Sequence, residues 1–440
     1  MRLLYFILFC TLRYSLRIFY PRLKTINSPG NMFGRTIYVS NHAASFMDPL
    51  VVASFRPPIV FFLTRSDVFT KLTKPFLWAA HMLPIYRQQD GVDTKDENIK
   101  TFDECTKILK YGRNLLIFGE GFTDDVFIRR LKPVKKGAVR IGFYSLEKLN
   151  WKKKIYIAAV GCNYSDPNEM RSDLLISTSK RICLNDYRQE YEVNPIKVIN
   201  ELTREIELLM REQITHVEDI DNLNFHENIM KLTRKGMNAK HSNTSIPLVK
   251  RWHYSQKLAN WLNDRAENQL KELRSLKEEL HDYFNLLGKL NVNENYLHEL
   301  SLNHRINRIK ELILLIVLSP TALLGLFHCG LPYLFVKRYV ERSFKRKVFW
   351  GSVKLLLGMI SMGILNIPFI FVIRYFIYPN YWVAFGYYAL IGLFGLSAYM
   401  WWRNFIRYRE KGIIRHTDLS KIIDKRGELI EKIYQQIPVA

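Results

Sequence analysis

The sequence predicts an α/β layer domain, a central mixed sheet flanked by helices, followed by a helical stalk and C-terminal transmembrane helices. Three observations carry that reading. Between about residues 34 and 215, short β-branched or aromatic runs alternate with helical stretches. Residues 195–311 are rich in Glu, Lys, Leu and Arg at helical spacing. Beyond residue 311 the chain turns apolar in runs long enough for a bilayer of about 30 Å.

Composition sets the outer bounds. The chain has 440 residues, more than one compact core usually covers, so two or three units are expected. A formal net charge of +24 predicts attraction to anionic lipid, phosphorylated substrates or nucleic acid. The apolar runs favour the membrane, and no zinc-finger, recognition-helix or RNA-binding signature supports nucleic acid as a partner. Cys10, Cys105, Cys162, Cys183 and Cys329 have no paired spacing, which argues against a disulfide framework or zinc site and fits a reducing, cytosol-facing location.

Residues 1–33 read as an N-terminal interfacial membrane helix with its lead-in. The apolar run Leu3 to Leu12 is too short to span, and no small-residue cleavage site follows it. Arg13 and Arg17 come next, so residues 1–20 are expected to lie in the interface, arginines up and aromatics down. Residues 34–215 form the α/β domain. Its expected strands are Thr36–Ser40, Ile59–Leu63, Leu83–Tyr86, Leu115–Phe118, Ile155–Val160 and Arg181–Leu184. The best-defined helix is DENIKTFDECTKILKYG: Thr94 and Glu97 make a capping box, Ile99, Phe102, Ile108 and Leu109 share a face, and Gly112 suits a left-handed C-terminal residue.

Residues 216–311 are the helical stalk or insert, with a hinge expected at Asn/Ser-rich 237–247; dimerisation of the chain or membrane stand-off would both fit it. Residues 312–415 hold the membrane segments. Val353–Ile373 and Tyr381–Trp402 are each long enough to cross at about 1.5 Å per residue. Leu312–Val336 is interrupted by Pro320, Gly325, Gly330 and Pro332. Placing the basic flanks Lys337–Lys347 and Arg403–Arg415 both in the cytosol makes 353–402 a hairpin and 312–336 a broken re-entrant pair. Residues 416–440 are a C-terminal cytosolic helix. The expected location is integral to a membrane, with the α/β domain on the cytosolic face.

The chemistry is concentrated in four short elements. In NHAASFMDPL, His42 leaves the C-terminal edge of a strand, where open α/β sheets place their sites. Asp48 has two readings. It is the N-cap of a helix whose first residue is Pro49, or it accepts a hydrogen bond from one imidazole nitrogen and leaves the other as a general base. No G-x-S-x-G elbow is present to supply a serine nucleophile. LLIFGEGF runs a strand into Gly119-Glu120-Gly121, LPIYRQQDG closes a strand at Arg87, and RRLKPVKKGAVRIGF puts Lys135, Lys136 and Gly137 at a helix start, where amides and cations hold phosphate. Each has a plainer reading as a surface turn or solvated charge.

In this order the four elements resemble the glycerolipid acyltransferase family over about residues 34–215, and most closely the glycerol-3-phosphate/dihydroxyacetone-phosphate acyltransferase branch and its bacterial relatives. The N-H-x4-D motif is matched by Asn41, His42 and Asp48 with one extra residue; the short strand closed by arginine by Ile85-Tyr86-Arg87; F-P-E-G by Phe118-Gly119-Glu120-Gly121; and the fourth, a strand with a buried proline, by Ile157–Val160. Gly119 stands for the proline of the third motif, Phe122-Thr123-Asp124 for its following arginine, and Ala158-Ala159 for the proline of the fourth. The resemblance implies an O-acyltransferase of phospholipid biosynthesis. It would move a fatty acyl group from acyl-CoA or acyl-acyl carrier protein, as co-substrate, to glycerol 3-phosphate, dihydroxyacetone phosphate or 1-acylglycerol 3-phosphate. It implies His42 as base, Asp48 as its orienting carboxylate, Arg87 on the acceptor phosphate, and Asn41, Glu120 and Gly121 in the acceptor pocket. No metal or other cofactor is implied. Local charge offers Arg129, Lys132 or Lys136 as a stand-in for the missing arginine. The competing readings are acyl transfer to a non-phosphorylated acceptor lipid and a catalytically degenerate membrane scaffold.

Overall fold

The computed structural model describes residues 3–27, 34–55, 60–86, 94–265, 269, 272–303, 307–414 and 418–440. The chain divides into two compact units, Met1–Pro167 with Arg171–Ile220 and Ile246–Asn263, and Asn168–Met170 with Asp221–Ser245 and Asp264–Ala440. The helical stretch expected at 216–311 is therefore shared, since 246–263 packs in the first unit.

The first unit is built on strands β1 (Arg22–Ile26), β2 (Thr36–Ser40), β3 (Val60–Arg65), β4 (Met82–Ile85), β5 (Asn114–Phe118), β6 (Tyr156–Tyr164), β7 (Asp173–Thr178) and β8 (Ile182–Cys183). They form one mixed sheet in the order β1-β7-β6-β2-β5-β3-β4, with β8 beside β6. β2 lies centrally and runs parallel to both neighbours, Ile37 opposite Leu115 on one side and Ile157 on the other. Among the described residues only β6 with β7 and β6 with β8 are antiparallel. All five residues of β2 are buried, as expected of a strand covered on both faces.

Helices α1 (Leu3–Phe19), α2 (Met47–Phe55), α3 (Lys74–Ala79), α4 (Thr94–Lys110), α5 (Gly137–Lys148), α6 (Arg188–Val193) and α7 (Pro195–Gln213) supply the layers. Ile37, Val39, Leu115, Ile157 and Ala159 meet Leu109 of α4, Phe143 of α5 and Ile206 of α7 in one core. Because side chains alternate along a strand, Tyr38, Leu116 and Ala158 face the other way, where they are equally buried; α1 packs on α2. α4 ends before Gly112, which takes φ +78°, as the sequence predicts; the side chain of Thr94 in the expected capping box lies outside the described residues. α1 packs one face on its own unit. Tyr5, Leu12, Leu16 and Phe19 form a buried stripe, while Leu3, Phe6, Ile7 and Tyr14 stay exposed. Strands β1 and β7, paired parallel with Arg22 opposite Asp173, were not expected from the sequence. Asp173 joins them to Arg22 and to Arg251, the latter in α9 (Leu248–Asn263) of the same unit.

The second unit contains α8 (Leu223–Thr233), α10 (Arg274–Leu290), α11 (Glu294–Asn303), α12 (Ile309–Ser343), α13 (Trp350–Val372), α14 (Tyr381–Ile414) and α15 (Ser420–Gln436). Three helical stretches, Ile309–Ser343, Lys347–Ile377 and Tyr381–Ile414, are long and apolar enough to cross a membrane. The broken re-entrant pair expected at 312–336 is corrected here: α12 runs unbroken through Pro320 and Pro332. Neighbouring helices make that tolerable. Pro332 has no N–H for the carbonyl of His328, and Asn366 Nδ2 donates to that carbonyl instead at 3.2 Å. Gly325 lets α14 approach closely, since a Cβ there would lie 1.9 Å from the carbonyl oxygen of Phe394.

Candidate active site

The site forms where β2 ends. The chain leaves Ser40 through Asn41 and His42 and turns sharply before α2. Ser45 adopts φ +52°, and the amides of Met47 and Asp48 donate to the carbonyls of Ala44 and Ser45 at 3.0 and 3.2 Å. The left-handed residue absorbs the extra position between His42 and Asp48. The helix consequently begins at Met47, and Asp48 sits inside its first turn rather than capping a helix that starts at Pro49.

That turn aims the Asp48 carboxylate back at the loop. Oδ2 lies 3.0 Å from His42 Nδ1 and accepts the amide of Ala44 at 2.9 Å. Oδ1 accepts the hydroxyl of Tyr164 at 2.8 Å. Asp48 is fully buried, whereas the His42 side chain keeps 20% of its surface open. An ionised carboxylate only accepts, so the proton shared with His42 belongs to Nδ1, and Nε2 is the nitrogen left for chemistry. The ring is held flat against Phe118, centroids 4.1 Å apart and planes 18° apart. Tyr164 went unnoticed as a site residue in the sequence. Burial and the Asp48 charge push its hydroxyl well above the usual tyrosine range, so it stays a protonated donor.

Glu120 acts on the loop from the next strand. Its Oε1 accepts the amide of His42 at 2.6 Å and its Oε2 the amide of Lys132 at 3.2 Å. Both oxygens, expected to shape an acceptor pocket, are thus engaged with the main chain. Burial raises its carboxyl above the ordinary range, and the two amides pull it partly back. Asn41 is likewise engaged. Its Nδ2 donates to the Cys162 carbonyl at 3.1 Å and its Oδ1 accepts the Cys162 amide at 2.8 Å, which extends the β2–β6 pairing past Ser40.

The departures from the family pattern have physical causes. Gly119 donates its amide to Ser40 at 3.0 Å, a bond proline would forfeit, and a Cβ there would meet Val39 Cγ1 at 2.9 Å. Gly121 turns at φ +76° beneath the Lys135 side chain. Ala159 donates its amide to Ser179 Oγ at 2.9 Å, again excluding proline. Where an arginine is expected, Phe122 and Asp124 gather Lys132, whose Nζ lies 3.9 Å from the Phe122 centroid and 2.8 Å from Asp124 Oδ1. Arg129 is buried, with its guanidinium donating to the carbonyls of Tyr164 and Ser165 at 2.8 and 3.3 Å. Lys135, Lys136 and Gly137 are exposed at the start of α5. Arg87 lies outside the described residues; beside it, Asn98 clasps the Tyr86 main chain at 3.0 and 2.9 Å.

None of the curated proteins compared with the chain matches it. A family model described as Acyltransferase matches residues 25–162, from the last residues of β1 to the Cys162 main chain that Asn41 grips, with His42, Asp48 and Glu120 inside the match. Residues 25–162 thus resemble an acyltransferase domain, and among the described residues three helices are long and apolar enough to cross a membrane.

Proposed function

We propose that the chain moves a fatty acyl group from a thioester donor, acyl-CoA or acyl-acyl carrier protein, to a hydroxyl of glycerol 3-phosphate, dihydroxyacetone phosphate or 1-acylglycerol 3-phosphate, on the cytosolic side of a membrane. One observation carries this reading: the 3.0 Å contact between His42 Nδ1 and a buried Asp48 at a strand's C-terminal edge. His42 Nε2 takes the proton of the acceptor hydroxyl as its oxygen attacks the thioester carbonyl. The carbon–sulfur bond then breaks, and the departing thiolate recovers that proton. Asp48 holds the ring in the useful tautomer and balances its transient charge. General-base assistance of this kind contributes about 10²–10⁴-fold, roughly 3–5 kcal/mol of barrier. Asn41 and Glu120 act by bracing the loop. For the acceptor phosphate, Arg87 is the ligand the family resemblance nominates. Lys135 and Lys136, exposed beside the first amides of α5, supply further cationic character. Arg129 and Lys132 have partners within the protein, which leaves them a supporting role.

The test is acyl transfer in isolated membranes, with the three acceptors assayed in parallel. His42→Ala should abolish transfer while the protein still inserts; retained transfer would remove His42 as the base. Arg87→Ala should raise KM for a phosphorylated acceptor by a large factor. An unchanged KM would point to a non-phosphorylated acceptor lipid.

A further inference from the structure

We propose that α3 and the first turns of α1 present a membrane-inserting surface of the unit that holds His42, anchored by Leu72, Phe76 and Trp78 and occupied by an anionic lipid bilayer. Leu72 is 84% exposed, Phe76 67% and Trp78 58%. Three large apolar side chains are thus exposed within seven residues of one segment. They adjoin a second set. His81, just after α3, stacks on Tyr5 of α1 at 4.1 Å and on Phe61 at 4.2 Å. That stack brings the first turns of α1 against the end of α3, and with them the exposed Leu3, Phe6 and Ile7.

The charge around these side chains identifies the occupant. Lys71 and Lys74 are exposed among the α3 anchors, and Arg13 and Arg17 are exposed further along α1. No Asp or Glu occurs between Val68 and Tyr86, and none precedes Asp48. Apolar bodies interleaved with cations match a lipid interface: the rings and aliphatic chains enter the acyl boundary while the ammonium groups stay with lipid phosphates; the acid nearest along the chain, Asp67, is paired with Arg65. A second copy of the chain seated on the same face would set lysine against lysine. The surface lies in the unit that holds His42, so it would fix the height of the site above the lipid independently of the long apolar helices.

The experiment measures depth and not turnover, so it stands or falls separately from the acyl-transfer reading. The full chain, with Cys10 and Cys183 replaced by serine, is spin-labelled at Leu72→Cys or Phe76→Cys and reconstituted in nanodiscs containing anionic phospholipid. Tyr111→Cys, an exposed position just past α4, is the reference. The expected result is a severalfold higher ratio of oxygen to nickel-chelate accessibility at 72 and 76 than at 111. Equal ratios would place the segment in water and overturn the proposal. Protection from both reagents would mean a protein partner, and would overturn it equally.

Discussion

Asp48→Asn isolates the charge of the proposed orienting carboxylate with little change of shape. If the new amide oxygen takes the place of Oδ2, it still accepts from Ala44 and from His42 Nδ1, now at distances near 2.9 and 3.0 Å. The amide nitrogen then faces Tyr164, whose hydroxyl turns to accept, since a phenol both donates and accepts. Folding should therefore survive with a loss of about 1 kcal/mol, the scale of one weakened hydrogen bond. The transition state loses more. Coulomb's law at 3.0 Å with an effective dielectric near 20 gives roughly 5 kcal/mol as a ceiling for the attraction between Asp48 and a protonated His42. Partial solvent access at His42 brings the expected loss to about 3–5 kcal/mol, a fall in kcat of about 10²–10⁴-fold with KM little changed. The assay follows thiol release from an acyl thioester in nanodiscs, alongside thermal unfolding. A variant within a factor of a few of the wild-type rate, while His42→Ala is inactive, would refute the charge-balancing role.

Tyr164→Phe should leave Asp48 Oδ1 buried with its hydroxyl partner gone, costing about 1.5–3 kcal/mol in thermal unfolding, and should lower kcat more than it alters KM. Gly119→Pro, which installs the family's usual residue, should destabilise the domain by at least about 1–3 kcal/mol through loss of the bond to Ser40; a stable protein would mean the β2–β5 edge adjusts freely. His241 in the second unit is held at about 3 by burial, with Arg234, Lys231 and Lys240 also opposing its protonation. The unfolded chain binds that proton near the ordinary value of 6.5, so this residue's contribution to stability is full above that pH and is lost as pH falls toward about 3. His241→Asn should flatten the acid limb of the unfolding midpoint in lipid nanodiscs, and an unaltered limb would exclude His241 as its source.

Much of the first unit was legible because its signals are local. The alternation of β-branched runs with helical ones located the strands from β2 to β6, and the spacing of His42 and Asp48 singled out a pair that lies 3.0 Å apart. β1 and β7 were missed because RLKTI follows directly on α1, and DLLIST emerges from a stretch rich in turn residues. Pro320 and Pro332 read as breaks, since a proline removes an intrahelical bond in any isolated helix. α12 nevertheless continues, because a partner helix can supply the missing donor, as Asn366 does for His328.

The sequence by itself determined what depends on neighbours along the chain: the strands from β2 to β6, the proximity of His42 to Asp48 six residues on, and the apolar helices. Only the tertiary structure decided which distant groups hold that turn in place. Tyr164 reaches Asp48 across 116 residues, Asn41 grips Cys162 across 121, and Glu120 meets His42 across 78. The physical reason is that a parallel sheet orders strands by buried area and hydrogen bonding, not by sequence. A buried carboxylate must then find its donors among whatever residues that order brings beside it.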